Sequence, residues 1–195
     1  MNIEFNFLEI KIISMETLEC IKTRRSVRKF KKKEIEKEKL MKILEAAIYA
    51  PSSGNLQNWE FIIVRDEENK KLIAKAALNQ NFIADASIII IACSNDDKVI
   101  FYGKRGKDLY AIENVSAAIQ NILLAANDLG IGSCWVGAFD EKEIKKILKI
   151  PENVRPIAII PLGYPEKISE TPVRRPISEV VFEEKYGKKL RIENL

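Results

Sequence analysis

The stretch DLYAIENVSAAIQNILLAANDL, residues 108–129, carries the longest helical pattern in the chain. Apolar side chains recur in it at spacings of three and four, and they form a stripe too wide for a helix with water along one side. The stripe comprises Ile112, Val115, Ala118, Ile119, Ile122, Leu123 and Ala126. We therefore predict a buried central helix, followed by Gly130 as the left-handed residue with which helices commonly end.

Other helices and strands alternate around this central helix. Helices are predicted over residues 15–25, 36–50, 67–78 and 141–148, and strands over 59–65, 87–93, 131–136 and 155–162. Such alternation favours an α+β or α/β three-layer sandwich. Residues 163–195 have little periodicity, and loops longer than about 15 residues are usually functional or disordered. Because this tail contains Val180, Val181 and Phe182, we expect it to pack on a second subunit.

Length and composition limit the class of protein. The 195 residues, 47% hydrophobic and 31% charged, suit one folded domain. No apolar run approaches the roughly 18 to 20 residues of a membrane helix. Residues 1–14 lack the basic start and the small-residue cleavage site of a secretory signal. We therefore expect a cytoplasmic protein with no membrane partner.

The absence of histidine removes several classes of chemistry. The chain cannot use Ser-His-Asp or Cys-His catalysis, nor bind zinc through histidine. Cys20, Cys93 and Cys134 are widely spaced and form no CxxC pair, which argues against a disulfide framework or a thiolate metal site. We predict no metal centre and three reduced, mostly buried thiols.

The segment KTRRSVRKFKKK, residues 22–33, has eight basic residues and no acidic one. It can be a solvated charge run, a nucleic-acid contact or a phosphate site. A net charge of only +4 and the lack of an accompanying nucleic-acid-binding motif weaken the second interpretation, so we expect no nucleic-acid partner. A single phosphate needs less charge, and guanidinium and hydroxyl groups suit it. The candidate ligands are Arg24, Arg25, Ser26 and Arg28.

Two loops contain further candidate ligands. The loop APSSGNLQNW, residues 50–59, is rich in amide groups that suit a heteroaromatic ring with donors and acceptors on its edge, although it can equally be a plain connection. Residues 130–139, GIGSCWVGAF, do not have the GxGxxG spacing of a dinucleotide-binding fold. Gly137 and Ala138 follow the predicted strand. They allow a ligand to approach the backbone closely, or they form an ordinary turn.

The tail contributes one more pair of cations. Arg174 and Arg175 are far in sequence from Arg24. They reach the same phosphate if the tail folds back, and otherwise they are solvated side chains.

Five segments of the chain, taken together, resemble the FMN-dependent nitroreductase family. They are RRSVRKF (24–30), APSSGNLQNWEF (50–61), ENVSAAIQNILLAANDLGIGSCWVGAF (113–139), IIPLGYP (159–165) and RRPISEVV (174–181). Each is weak alone, but their common order and spacing are a strong signal. The resemblance implies an α+β fold, a three-layer α/β/α sandwich with a mostly antiparallel central sheet, in a homodimer that exchanges C-terminal tails. Residues 15–195 form its single FMN-binding domain with the C-terminal arm, and residues 1–14 are an N-terminal extension.

The resemblance also implies roles for individual residues. The FMN phosphate is assigned to Arg24, Ser26, Arg175 and Arg174, the ribityl chain to Arg25, and the pyrimidine edge of the flavin to Arg28. Residues of the other subunit line the ring, namely Pro51, Ser52, Ser53, Asn55 and Gln57. Trp135, Val136 and Ala138 pack near the ring, and the Gly137 backbone N–H bonds flavin N5.

The implied activity is ping-pong hydride transfer from NAD(P)H through flavin N5 to a small oxidant, such as a nitroaromatic or a quinone. It needs no protein acid or base, so no catalytic residue is predicted. Three alternatives stay open. They are a related flavin chemistry (dehalogenation, reduction of an enal or semialdehyde, or flavin breakdown by oxygen), a flavin-binding module without turnover, and a nucleic-acid contact through residues 22–33. Asn58 stands where many relatives have proline, and we expect this to change the local turn more than cofactor binding.

Overall fold

The computed structural model describes residues 15–190 and places a four-stranded sheet between two layers of helices. The strands are β1 (Trp59–Val64), β2 (Ile88–Asn95), β3 (Gly132–Ser133) and β4 (Val154–Gly163). Their order is β1-β2-β4-β3, and all three pairings are antiparallel. This arrangement confirms the predicted α+β sandwich with an antiparallel sheet.

Strand β2 shows why helices cover both faces of the sheet. Ile88, Ile90 and Ala92 belong to one apolar core, whereas Ile89, Ile91 and Cys93 belong to the other. Side chains of a strand point alternately to opposite faces. A continuous apolar run is therefore stable only where both faces are covered.

The helices agree with the sequence pattern, with ends shifted by a few residues. They are α1 (Thr17–Thr23), α2 (Lys37–Ile48), α3 (Glu67–Ala76), α4 (Gly103–Arg105), α5 (Ala111–Asp128), α6 (Glu141–Leu148) and α7 (Ile177–Val180). Helices α2 and α5 contribute to the first core, and α3 and α6 to the second. Asp66 and Asp140 start α3 and α6, since their carboxylates accept hydrogen bonds from the first backbone N–H groups.

Helix α5 is the predicted central helix, and it ends as expected. Gly130 is left-handed, with φ +72°. Its N–H donates to the Asn127 carbonyl at 3.1 Å, and the N–H of Ile131 donates to the Ala126 carbonyl at 2.8 Å. This pair of bonds is the Schellman arrangement, which turns the chain directly into β3.

A 3₁₀ helix over Asp96–Tyr102 and a π-helical turn over Gly106–Tyr110 join α4 and α5 into one helical run, residues 96–128. This run contains an 18-residue window with mean hydropathy 1.2, long and apolar enough by composition to cross a membrane. Core helices of globular domains pass the same test. The apolar face of α5 packs in the first core with residues of β2 and α2, which accounts for its composition.

The structure corrects two predictions, and a third prediction concerns residues that the structure does not describe. The strand predicted over 131–136 is only Gly132–Ser133, followed by a single bridge between Val136 and Ile159. The next residue, Cys134, lies opposite Pro161 of β4, and proline has no N–H to continue the ladder. The tail, predicted to be irregular, contains the short helix α7. The proposed extension, residues 1–14, lies outside the described part of the chain.

Candidate functional site

The segment from Arg24 to Arg28 borders a cavity of about 280 Å³. The lining residues are Arg24, Arg25, Ser26, Arg28, Ser169, Glu170, Pro172 and Arg174. Three arginines of the basic segment thus meet Arg174 of the distant tail, with Glu170 as the single acidic residue of the lining. The tail thus lies against the basic segment within one chain, which is the condition stated above for its arginines to reach the same phosphate.

Backbone pairing keeps this segment extended. Ser26 pairs in parallel with Ser133 of β3, and the Val27 N–H donates to the Ser133 carbonyl at 2.8 Å. Gly132 permits the contact, because a Cβ there would lie 2.9 Å from the Val27 side chain. Side chains alternate along extended backbone. Val27 is therefore buried, while Ser26 and Arg28 line the cavity.

The arginines of the segment differ in their partners. The Arg25 guanidinium donates to the carbonyl of Lys22 at 2.6 Å, to the carbonyl of Arg24 at 2.8 Å, and to the Thr171 hydroxyl. It therefore ties the end of α1 to the tail. Within residues 15–190, Arg24 and Arg28 form no salt bridge. Two guanidinium groups without a carboxylate partner favour an anionic ligand in the cavity.

The two tail arginines also have different surroundings. Arg174 lines the cavity. Arg175 lies outside its lining and pairs with Glu179, with 3.2 Å between Nε and Oε2. The four-residue spacing at the start of α7 brings these two side chains together. Of the two tail arginines that the resemblance assigned to the phosphate, Arg174 is thus the one that adjoins the basic segment.

The rest of the basic run borders a different surface. Residues 29–33 line a separate groove of about 770 Å³. The groove also contains the acidic residues Glu34, Glu67, Asp85 and Glu166. Lys33 packs over Tyr164, with its Nζ 3.9 Å from the ring centre. These interspersed carboxylates weaken the positive field that a nucleic-acid backbone requires.

Beyond Ser133 the chain continues beside the cavity. Cys134 is buried, and burial raises the pKa of its thiol, while the nearby Arg28 guanidinium opposes the rise. A neutral thiol there packs as a small apolar group. Val136 is held by hydrogen bonds with Ile159 of 3.0 and 2.9 Å, and the side chain of Trp135 is partly exposed.

Gly137 presents its backbone to the surface. Among the described residues no acceptor takes a hydrogen bond from its N–H. A Cβ built on Gly137 would meet no atom within 4 Å. The neighbouring Ala138 is exposed, and its carbonyl accepts from Gln80 Nε2 at 3.2 Å. The Gly137 amide is thus available to a ligand atom.

The loop from Pro51 to Gln57 lies near the start of α5. The N–H and hydroxyl of Ser53 both donate to Asn114 Oδ1, at 2.9 and 3.1 Å. Three loop residues are left-handed, with φ of +56° at Gly54, +57° at Asn55 and +47° at Gln57. This conformation is uncommon for residues with a side chain, and such residues cluster at functional sites. Pro51, Asn55 and Gln57 are exposed, and Ser52 and Ser53 partly so.

A buried amide pair beneath this loop was missed by the sequence reasoning. Asn58 Oδ1 accepts from Asn114 Nδ2 at 2.7 Å, and Asn58 Nδ2 donates to Ser94 Oγ at 2.9 Å and to the Ala111 carbonyl at 3.1 Å. We expected Asn58 to affect mainly the local turn. Its fully buried side chain instead joins the loop base to α5 and β2. An asparagine directly before an apolar strand, and another inside an apolar helix, were the available signals.

Helix α5 separates the loop from the arginine cavity. Its start holds the loop through Asn114. Near its end, Asn127 Nδ2 donates to the Thr23 hydroxyl and to the Cys20 carbonyl, both at 3.1 Å, just before the basic segment. A helical rise of about 1.5 Å per residue puts Asn114 and Asn127 about 20 Å apart. The two groups of predicted ligands therefore do not meet within one chain.

The donor chemistry of the two groups fits different parts of a mononucleotide. Unpaired guanidinium groups and the Ser26 hydroxyl suit a phosphate. The left-handed, amide-bearing loop and the Gly137 N–H suit the polar edge of a flat heteroaromatic ring. The described residues thus fit FMN in the chemistry of their donor groups.

Comparison with known proteins gives one consistent result. The pattern of the Nitroreductase family matches residues 21–164. A protein of Archaeoglobus fulgidus with the provisional name NADH dehydrogenase/NAD(P)H nitroreductase is 41% identical over 155 residues, covering 77% of this chain and 86% of that protein. The FMN reductase [NAD(P)H] of Bacillus subtilis is 28% identical over 185 residues, covering 88% of this chain and 74% of that protein.

A solved structure extends the similarity to the fold. The NADPH:FMN oxidoreductase of Vibrio harveyi, solved in complex with NAD⁺, superposes with a TM-score of 0.82 at 27% identity. The match covers 91% of this chain and 80% of that one. The similarity therefore extends through most of both chains.

Proposed function

This chain belongs to the nitroreductase family, and we propose that it acts as a homodimer with FMN held between its two subunits. It is an oxidoreductase with FMN and NAD(P)H as cofactors. The proposed reaction is hydride transfer from NAD(P)H through the flavin to a small oxidant. The expected location is the cytoplasm.

The observation that carries the dimer proposal is the separation of the two ligand groups along α5. In one chain the Pro51–Gln57 loop is bonded to Asn114 at the start of this helix, whereas the segment that leads into the arginine cavity is bonded to Asn127, about 20 Å along the helix from Asn114. A second copy can bring its own loop to the cavity of the first. Each flavin would then contact the arginines of one subunit and the loop of its partner.

Exposed apolar side chains support the same proposal. Phe101 is 90% exposed, Val173 97% and Tyr186 95% in the single chain. Two of these three lie in the tail that the sequence assigned to a partner subunit. Bulky side chains of this kind lose their exposure when a partner subunit packs against them.

The chain's own residues are proposed to bind and orient the cofactor. Arg24, Ser26 and Arg174 hold the phosphate, and Arg25 keeps the tail in place beside the ribityl chain. Arg28 lies at the pyrimidine edge, where its positive charge favours acceptance of hydride by the ring. FMN, when bound, supplies the N5 atom that accepts and returns hydride, and the Gly137 N–H orients this atom. Pro51–Gln57 of the partner subunit cover the ring and exclude water.

An absorption spectrum of the purified protein tests cofactor binding. We expect flavin bands with one FMN per chain, loss of the yellow colour when NADH or NADPH is added under argon, and its return with a quinone or nitroaromatic acceptor. A colourless protein that ignores added FMN contradicts the proposal. Flavin that is never reduced indicates the binding module, and turnover that occurs only in air indicates the oxygen-dependent alternative.

Mixed dimers test whether the site is shared. Arg24→Ala/Arg174→Ala removes phosphate ligands, and Pro51→Trp places an indole on the exposed loop. Neither variant alone should retain FMN. A heterodimer of the two, purified through two different tags, should bind one FMN, because one of its sites has both an intact cavity and an intact loop. Heterodimers without FMN, or a monomer with one FMN, would contradict the shared site.

A further inference from the structure

The amide pair of Asn58 and Asn114 is almost completely withdrawn from solvent. Asn58 is 0% exposed and Asn114 4%. Among the described residues, no buried side-chain nitrogen or oxygen lacks a hydrogen-bond partner. Removing one member of such a pair leaves the other unsatisfied, which is more costly than replacing both by apolar groups of similar shape. Substituting one asparagine should therefore destabilise the protein more than substituting both by apolar residues of similar shape.

The pair leads outward to a single attachment point in the loop. Asn114 Oδ1 accepts both hydrogen bonds from Ser53, at 2.9 and 3.1 Å, while Asn114 Nδ2 is held by Asn58 at 2.7 Å. Asn58 is fixed in turn by Ser94 of β2 and by the Ala111 carbonyl at the start of α5. The position of Ser53 is thus set by the sheet and by the central helix together.

The residues after Ser53 need this anchor. Gly54, Asn55 and Gln57 are left-handed, and this backbone conformation is unfavourable for residues with a side chain. Most other hydrogen bonds of the loop are internal, such as Asn55 N–H to the Ser52 carbonyl at 3.0 Å and Gln57 N–H to Ser52 Oγ at 3.1 Å. Internal bonds shape the loop but do not fix its place on the protein.

We propose that Asn58 and Asn114 are positioning residues. They touch no cofactor, and they hold residues 52–57 in one strained conformation that presents the loop to the flavin ring of the partner subunit. This proposal rests on the proposed function, because the loop has a ligand to meet only if FMN binds between the subunits.

The double variant Asn58→Leu/Asn114→Leu separates positioning from stability. Leucine fills the space of both amides, so neither is left without the other and the melting temperature should fall less than in either single variant, while Ser53 loses its acceptor. We expect hydrogen exchange of the Ser53–Gln57 amides in the FMN-free protein to become at least about tenfold faster, as for loss of two neutral hydrogen bonds. The Kd for FMN should rise by a similar factor.

Asn121→Leu is the matched control. Asn121 lies on the same helix, and its Nδ2 donates to the Ala46 carbonyl at 2.9 Å, away from the loop. This variant should leave loop exchange and FMN binding unchanged. If the double variant does not fold, Ser53→Ala removes one of the two bonds to Asn114 from the outside. It should then raise the exchange rate of the loop amides and the Kd for FMN by about two- to tenfold each, the equivalent of one neutral hydrogen bond.

The outcomes separate this proposal from the proposed function. Failure of the native protein to bind FMN ends the proposed function, whereas loop exchange in the FMN-free protein still shows whether the amide pair fixes the loop. Native FMN binding together with unchanged exchange and unchanged Kd in the double variant overturns the positioning role. A lower melting temperature with native exchange and Kd shows a purely structural role and also overturns it.

Discussion

The two ends of helix α5 use the same kind of side chain for different purposes. At its start, Asn114 is buried and bonded to Asn58 and Ser53. Near its end, Asn127 donates to the hydroxyl of Thr23 at the end of α1. In the basic segment that follows α1, Arg24 and Arg28 have no carboxylate partner among the described residues. The start is a complete hydrogen-bonded structure within one chain. The end leaves these two guanidinium groups without a carboxylate partner, and we propose that the FMN phosphate binds there.

This difference implies different responses to mutation. Changes at the start of α5 should act on the conformation of the loop, and they should be visible without cofactor. Removing Arg24 or Arg174, beyond its end, should act on affinity and leave the stability of the free protein almost unaffected. The predictions below test this division, from the largest effect to the smallest.

Arg24→Ala and Arg174→Ala should weaken FMN binding most. Each removes a charge-assisted bond worth about 1.5–3 kcal/mol, or roughly 10- to 150-fold in Kd. Arg175→Ala is the matched control, because its guanidinium pairs with Glu179. Fluorescence titration with FMN measures all three. A larger loss for Arg175→Ala than for Arg174→Ala would show that the tail rearranges when the ligand binds, in line with the sequence resemblance.

Gly54→Ala should destabilise the free protein by about 1–2 kcal/mol, because an L-residue resists the left-handed backbone. Its Cβ would also lie 2.6 Å from the Tyr102 hydroxyl. Gly137→Ala is the control at the cavity side, where a Cβ meets open space, and it should cost less than about 0.5 kcal/mol. Urea unfolding of the FMN-free proteins gives both values. Equal losses in the two variants would remove the distinction between the strained loop and the open Gly137 backbone.

The smallest expected effect is a dependence of folding stability on pH. Near the end of α5, Tyr164 donates to Glu36 Oε2 at 2.6 Å, and Lys39 Nζ donates to the Tyr164 hydroxyl and to the Leu129 carbonyl, both at 3.0 Å. The hydrogen bond from Tyr164 is the largest of several interactions that together lower the pKa of Glu36 from 4.5 to about 2. A depressed carboxylate pKa stabilises the fold above pH 4.5, and this contribution is lost as the pH falls toward 2.

Tyr164→Phe should therefore be less stable than the native protein at pH 7, and the difference should shrink as the pH falls from 4.5 toward 2. Urea unfolding at several pH values measures it. Asn58 and Asn114 do not titrate, so a variant at the other end of α5 should show no such convergence. A Tyr164→Phe difference that is independent of pH would show that the bond to Glu36 contributes nothing.

Much of the fold was predictable because its signals are local. Three of these signals are the continuous apolar run of β2, the apolar stripe of α5 and the turn at Gly130. Each depends on residues within a few positions of one another. The gathering of Arg24, Ser26 and Arg28 was also predictable, since they occupy one extended segment. Strand β3 was overestimated because Pro161, which interrupts its ladder, is distant in sequence.

By itself, the sequence determined the order of elements, the basic segment that borders the cavity and the family to which the chain belongs. Only the tertiary structure decided that Arg174 adjoins this segment while Arg175 pairs with Glu179, and that Asn58 meets Asn114 across 56 positions of sequence. The physical reason is that periodicity and turn chemistry act over one or two turns of chain. Hydrogen bonds between buried amides depend instead on how whole elements pack, and no local pattern specifies which distant residue becomes the partner.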